Sequence, residues 1–108
     1  MREQITALVE RHIDTIRAEA AGLERDLRAL GAGGTGLSDV VRRAHTLKGS
    51  SGSLGFAQVS RAAETVEHAL RALGEGRPPS GLGRAIAELR GLCAGLSARD
   101  SHIYRRFE

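Results

Sequence analysis

A histidine and the chain's single lysine lie three residues apart, at positions 45 and 48 of the stretch HTLKGSSGSLG. The other fifteen basic residues are all arginine, so a lysine at this position stands out. An imidazole is a competent nucleophile near neutral pH, because its ordinary pKa of about 6.5 leaves much of it uncharged. Attack by a ring nitrogen on a phosphoryl group gives a phosphohistidine, whose negative charge a mobile ammonium group can stabilise. His45 and Lys48 together therefore suggest phosphoryl-transfer chemistry.

The spacing of the neighbouring residues predicts that His45 lies on an exposed helix face. At about 100° per residue, the apolar residues of this segment lie roughly opposite the histidine. The residues on its own side are Ser38, Val41, Arg42, Lys48, Gly49 and Gly52. Two glycines within a helix cost on the order of 2 kcal/mol of helix propensity, so we interpret Gly49 and Gly52 as clearance for a partner protein. Val41 and Arg42 are candidate partner contacts on this face, and an ordinary surface histidine is the alternative.

Two carboxylates follow on the next predicted helix, at Glu64 and Glu67. One of them could accept the proton of an imidazole nitrogen, which would fix the tautomer and leave the other nitrogen able to react. The alternative is a solvated helix face with local pairing to Arg61, His68 or Arg71. The spacing by itself favours the solvated face.

Three other kinds of site are disfavoured. No strand precedes the glycines of LKGSSGSLG and no GK[ST] ending follows, so a phosphate-binding nucleotide loop is not indicated. The four histidines lie on four different segments without metal-ligand spacing. Cys93 falls on an apolar stripe, which would keep its thiol away from His45.

Four amphipathic segments must position these residues. Their apolar residues recur at steps of three and four, and Gly-rich stretches separate them. We expect helices over about 2–30, 38–54, 56–73 and 82–98, with the tail 99–108 either extending the last helix or fraying. Four such helices joined by short loops bury their apolar faces together in an antiparallel up-down four-helix bundle. The predicted fold is therefore all-α, with residues 1–108 as a single domain.

The composition restricts the class of protein. Aromatic residues make up 3% of the chain, which favours packed helices over strands. The formal charge of +3 suits an acidic partner, but the arginines are spread over all four helices, which disfavours nucleic-acid binding. No apolar run approaches a membrane span, and a lone cysteine suggests a reducing compartment. We expect a cytoplasmic monomer with no membrane association.

The stretch from Ala44 to Gly55 resembles the AHxLKGxxxxxG signature of histidine-containing phosphotransfer (HPt) domains. The alanine, the histidine, the lysine and both glycines stand at the expected places. The continuation through Phe56 to Glu67 is similar to the phosphotransfer domain of chemotaxis-type histidine kinases. The four stripes and the length match such a domain over essentially the whole chain.

This resemblance implies that His45 accepts a phosphoryl group and exchanges it with an aspartate of a response regulator receiver domain. It also implies that Lys48 supports the phosphoryl group, that Gly49 leaves room for the receiver, and that Glu67 orients the imidazole. Such a chain is a carrier and not an enzyme: it has no ATP site, depends on a sensor histidine kinase or a receiver, and needs no cofactor or metal. Magnesium belongs to the receiver.

The sequence leaves two choices open: carrier or binding module, and stand-alone protein or fragment of a kinase. The chain could be an HPt-like binding module that docks on a kinase or receiver without carrying phosphate. No kinase, dimerisation or coupling domain follows in the sequence, so a stand-alone protein and a fragment of a larger kinase both fit. The initial Met1 and the absence of a trailing linker favour the stand-alone protein.

Overall fold

A computed structural model describes residues 2–31, 33 and 36–101 of the chain. Most of these residues form four α-helices. They are α1 (Arg2–Gly31), α2 (Leu37–Ser53), α3 (Ala57–Gly74) and α4 (Leu82–Ala94), followed by a short 3-10 turn at Ala98–Asp100. Each helix packs against the next along the chain, and α4 packs against α1. No strand occurs within the described residues. The predicted all-α, up-down four-helix bundle is confirmed.

The apolar stripes of all four helices meet in one core. The residues at its centre are almost completely inaccessible to solvent: Ile16, Leu23, Val40, Leu47, Phe56, Val59, Val66 and Leu70. Leu8 and Leu73 follow the three-residue steps of the apolar stripes, after Ile5 and Leu70, but remain 47% and 43% exposed. Val9 and Leu70, close to them on the same helices, are buried, so these two leucines lie at the edges of their stripes. At 30 residues, α1 is also much longer than the 13-residue α4, and it cannot be covered along its whole length.

The connection between α2 and α3 is a tight turn that depends on Gly55. The amide of Gly55 donates to the Gly52 carbonyl, and the amide of Phe56 donates to the Ser51 carbonyl. Gly55 itself has a φ of +83°, in the left-handed region that favours glycine. This pair of hydrogen bonds is the Schellman helix ending, with Phe56 packed in the core immediately after it. The last glycine of the signature therefore sets how α3 folds back against α2.

The fourth helix is shorter than the predicted 82–98, because it ends at Ala94. The guanidinium of Arg17, on α1, donates to the carbonyls of Cys93 and Leu96 at 2.9 and 3.0 Å. These bonds satisfy carbonyls that a continuing helix would have used. The Asp100 carboxylate then accepts the amide of Ser97 at 2.8 Å, which stabilises the 3-10 turn.

Beyond this turn, the chain returns to the bundle. Ser101 is completely buried, and its hydroxyl donates to the Leu54 carbonyl at 2.5 Å. The start of the predicted tail is therefore attached to the α2–α3 turn, and residues 102–108 lie outside the described part of the chain. Among the described residues, no helix combines the length and apolar character needed to cross a membrane.

Candidate functional site

His45 lies on the middle of α2 with its side chain 63% exposed. Its helix neighbours Ala44 and Leu47 are completely buried on the other side of α2. The core packing of those two residues fixes the rotation of the helix, and His45 is directed to the surface as a consequence. The imidazole lies next to α3, at the edge of the interface between the two helices.

The carboxylate of Glu67 faces His45 from α3. Its two oxygens lie 3.3 and 3.2 Å from the imidazole Nδ1. Glu67 is only 3% exposed, so the solvated face that the spacing favoured is wrong for this residue. The solvated face is correct for Glu64, whose half-exposed carboxylate lies 4.0 Å from Nε2 of His68 on the same helix. The rotation of α3 in the bundle therefore separates the two glutamates, turning one inwards.

Two further cations surround the Glu67 carboxylate. Arg71 donates from Nε and Nη2 to the same oxygen, Oε2, at 3.0 and 2.8 Å. Lys48 Nζ lies 3.9 Å from Oε1, too far for a hydrogen bond. Burial by itself raises the pKa of Glu67, but hydrogen bonds from Arg71 and His45 outweigh it and hold that pKa below its ordinary value. The carboxylate is therefore ionised at neutral pH.

An ionised carboxylate fixes the tautomer of the imidazole beside it. A carboxylate only accepts hydrogen bonds, so the nitrogen that faces it, Nδ1, must carry the proton. In the neutral ring, Nε2 then holds a lone pair and no proton. Because the side chain is largely exposed, that lone pair can meet a reactant brought by another protein.

The two glycines of the predicted partner surface have different surroundings. A Cβ at Gly49 would have no heavy atom within 4 Å, so the space beside His45 is open there. A Cβ at Gly52 would lie 3.2 Å from Ser60 Oγ on α3. That hydroxyl donates to the Lys48 carbonyl at 2.9 Å. Gly52 is exposed, as predicted, but its missing side chain serves the close contact of α2 with α3.

An open groove of about 700 Å³ runs from His45 between α2 and α3. Val41 and Arg42 form its α2 side, and Leu70 and Arg71 belong to its α3 side. Arg42 is highly exposed and lies 3.6 Å from the Asp39 carboxylate one turn earlier. Val41 and Arg42, two of the predicted partner contacts of α2, thus lie with His45 along one open groove.

The sequence matches one known protein family. The family model described as Hpt domain matches residues 2–99. The chain belongs to the HPt domain family. Comparisons with curated proteins and with solved structures found no significant match. HPt domains are phosphotransfer carriers and not kinases, and membership supports a histidine phosphotransfer role in two-component signalling, with histidine kinases and response regulators as interacting proteins.

Other reactive groups of this HPt domain lie away from His45. Cys93 is buried on α4, and burial raises the pKa of its thiol, which keeps it in the unreactive protonated form. Within the described residues, no group of three or more His, Cys, Asp or Glu side chains could hold a metal ion.

Two site residues of the HPt domain were given no role by the sequence. Arg71 appeared only as a local partner in a solvated face, although its i,i+4 spacing from Glu67 was a usable signal. The spacing could not show that the shared carboxylate is buried. Ser60 gave no signal, because its contact with the Lys48 carbonyl depends on the distance between α2 and α3.

We expect Glu67→Gln to remove a pH-dependent part of the stability. The lowered pKa of Glu67 means that its contribution is present above the unfolded value of about 4.3 and is lost as the pH falls through the lower folded value. The difference in unfolding free energy between wild type and variant should be on the order of 1–2 kcal/mol near pH 5 and shrink towards pH 3. Urea titrations at several pH values measure it.

Glu64→Gln is the matched control for this experiment, because Glu64 is on the same helix but its contact with His68 is exposed to solvent. It should change the unfolding free energy by only a few tenths of a kcal/mol. A wild-type minus Glu67→Gln difference that stays constant between pH 5 and pH 3 would contradict the assignment of an ionised, stabilising carboxylate.

Proposed function

We propose that this HPt domain carries a phosphoryl group on Nε2 of His45 and exchanges it with an aspartate of a response regulator receiver domain. The observation that carries the proposal is the exposed imidazole whose Nδ1 faces a buried, ionised carboxylate. A sensor histidine kinase or a phosphorylated receiver supplies the phosphoryl group, because the proposed carrier has no ATP site of its own. Such a carrier works in the cytoplasm.

The transfer step uses the tautomer that Glu67 fixes. The Nε2 lone pair attacks the phosphorus of an aspartyl phosphate, the N–P bond forms, and the P–O bond to the aspartate breaks. The aspartate leaves as a carboxylate, and Nδ1 keeps its proton throughout. The phosphorylated ring is therefore a cation, and the Glu67 carboxylate beside it stabilises that charge. In the reverse step, an aspartate oxygen attacks phosphorus, and the ring leaves as a neutral imidazole.

Lys48 is suited to the phosphoryl oxygens. Its ammonium group lies one helical turn after His45, and its side chain is 34% exposed. The 3.9 Å separation from Glu67 is an ion pair without a hydrogen bond, so little is lost when the ammonium turns towards a new anion. A compact charge on a flexible stem can follow a phosphoryl group that must leave again, whereas an arginine binds oxygens in a rigid fork. Magnesium is expected in the acidic pocket of the receiver.

The partner is expected to cover the α2 side of the site. Gly49 provides open space next to the imidazole, and Val41 and Arg42 continue the same surface along the groove. Arg42 carries a positive charge where a receiver brings its acidic pocket, which favours the approach of that pocket.

The proposal is tested by incubation with a panel of receiver domains that were charged from radiolabelled acetyl phosphate. Wild type should acquire label that is labile in acid and stable in base, as expected for phosphohistidine. His45→Gln should acquire none. His68→Gln is the matched control, because His68 is an equally exposed histidine with a glutamate nearby, and it should label like wild type.

Label on His45→Gln at the wild-type level would contradict the assignment of His45. Wild type that binds a charged receiver but acquires no label would contradict the carrier function and support the binding-module alternative. Wild type that neither binds nor acquires label from any receiver of the panel would count against both.

We expect Gly49→Ala to stabilise the fold and slow the transfer. A Cβ there has open space, so the helix gains roughly 0.5–1 kcal/mol, but the added methyl group projects towards the docking receiver. Gly91→Ala on α4 is the control, because a Cβ there also has no atom within 4 Å. Both variants should raise the unfolding free energy in urea, and only Gly49→Ala should transfer label more slowly. If Gly49→Ala transferred label at the wild-type rate, Gly49 would not be needed as clearance for the receiver.

A further inference from the structure

Arg71 makes the strongest contacts to the carboxylate on which the His45 tautomer depends. Both of its hydrogen bonds, from Nε and Nη2, end on Oε2 of Glu67, at 3.0 and 2.8 Å. Arg71 lies one helical turn after Glu67, and its side chain is 53% exposed. Glu67 cannot exchange these bonds for water, since its side chain is only 4% exposed.

A buried carboxylate at this position needs such a partner. Removal from water favours the neutral acid, because the charged form loses its hydration. A protonated Glu67 could donate to Nδ1, and the imidazole proton would then lie on Nε2. The tautomer with an Nε2 lone pair would no longer be fixed. The same loss would follow if the carboxylate rotated away from His45.

The other charged groups that face Glu67 are less suited to this task. From α2, His45 is the group to be oriented, and Lys48 is 3.9 Å away without a hydrogen bond. From α3, Arg71 is the residue whose charge reaches the carboxylate directly. Among the described residues, no group of α1 or α4 forms an ion pair with Glu67. Arg71 thereby leaves Lys48 available for the phosphoryl oxygens.

We propose that Arg71 is a positioning residue, which keeps the Glu67 carboxylate ionised and turned towards Nδ1 and so holds His45 in its nucleophilic tautomer. The inference rests on the proposed function for its consequence in transfer, but its structural part concerns the unphosphorylated protein. The lowered pKa of Glu67, to which the hydrogen bond from Arg71 contributes, supports it. Arg71 acts through Glu67 and need not touch the phosphoryl group.

The test compares Arg71→Gln and Arg71→Lys with wild type by NMR in the absence of any partner. The carboxyl ¹³C shift of Glu67 reports its ionisation, and the ring ¹⁵N shifts of His45 report the tautomer at a pH where the ring is neutral. In Arg71→Gln, the pH midpoint of the Glu67 titration should rise. The ratio of the Nδ1–H tautomer to the Nε2–H tautomer of His45 should fall about tenfold, because the carboxylate is no longer held against Nδ1. Arg71→Lys keeps the charge but cannot form the two-bond contact. Its Glu67 midpoint and its tautomer ratio should therefore lie between those of wild type and Arg71→Gln.

Arg61→Gln is the matched control, because Arg61 is an exposed arginine on the same helix with no ion pair to Glu67. It should leave both spectra unchanged. Wild-type shifts in Arg71→Gln would overturn the proposal; if that variant does not fold, wild-type shifts in Arg71→Lys would do so. Label transfer from a charged receiver should fall in the same order as the tautomer ratio. A failure of wild type to acquire label would contradict the carrier function, while the partner-free spectra would still decide the role of Arg71.

Discussion

The site depends on the contact between the buried carboxylate of Glu67 and Nδ1 of the exposed His45. Burial of an isolated carboxylate is costly, and here Arg71 and the imidazole compensate for much of that cost with hydrogen bonds. The contact also gives the two ring nitrogens different environments. Nδ1 is fixed inside the protein, and Nε2 is presented to solvent. One interaction thus orients the ring and leaves the lone pair of the neutral form on Nε2.

The bundle provides the geometry that this contact requires. Ala44 and Leu47 fix the rotation of α2, and Val66 and Leu70 fix that of α3, because all four are completely buried. Gly55 allows the abrupt turn between the helices, and Ser60 and Gly52 allow their close approach. The geometry of the site is therefore set by core packing that extends well beyond the charged residues. Lys48 is held less tightly, because its ammonium group lies 3.9 Å from Glu67 without a hydrogen bond.

Much of this could be predicted from the sequence, for identifiable reasons. The steps of three and four in the apolar residues determine four helices, and they place His45 opposite the buried face of α2. For Glu67, the spacing favours the wrong environment; the residue types allow an orienting role for either glutamate, and the resemblance to chemotaxis-type phosphotransfer domains points to Glu67. A single helix pattern does not show which of two flanking residues, Glu64 or Glu67, the neighbouring helix will cover. The early end of α4 depends on Arg17, which is distant in sequence and was not foreseeable from the α4 stripe.

We propose that the proton on Nδ1 directs phosphorylation to Nε2. The most direct measurement is NMR of the uniformly ¹⁵N-labelled protein after phosphorylation, with the ³¹P–¹⁵N coupling identifying the bonded nitrogen. We expect a phosphoryl group on Nε2 of His45, with the proton still on Nδ1. A phosphoryl group on Nδ1, or on a residue other than His45, would contradict it.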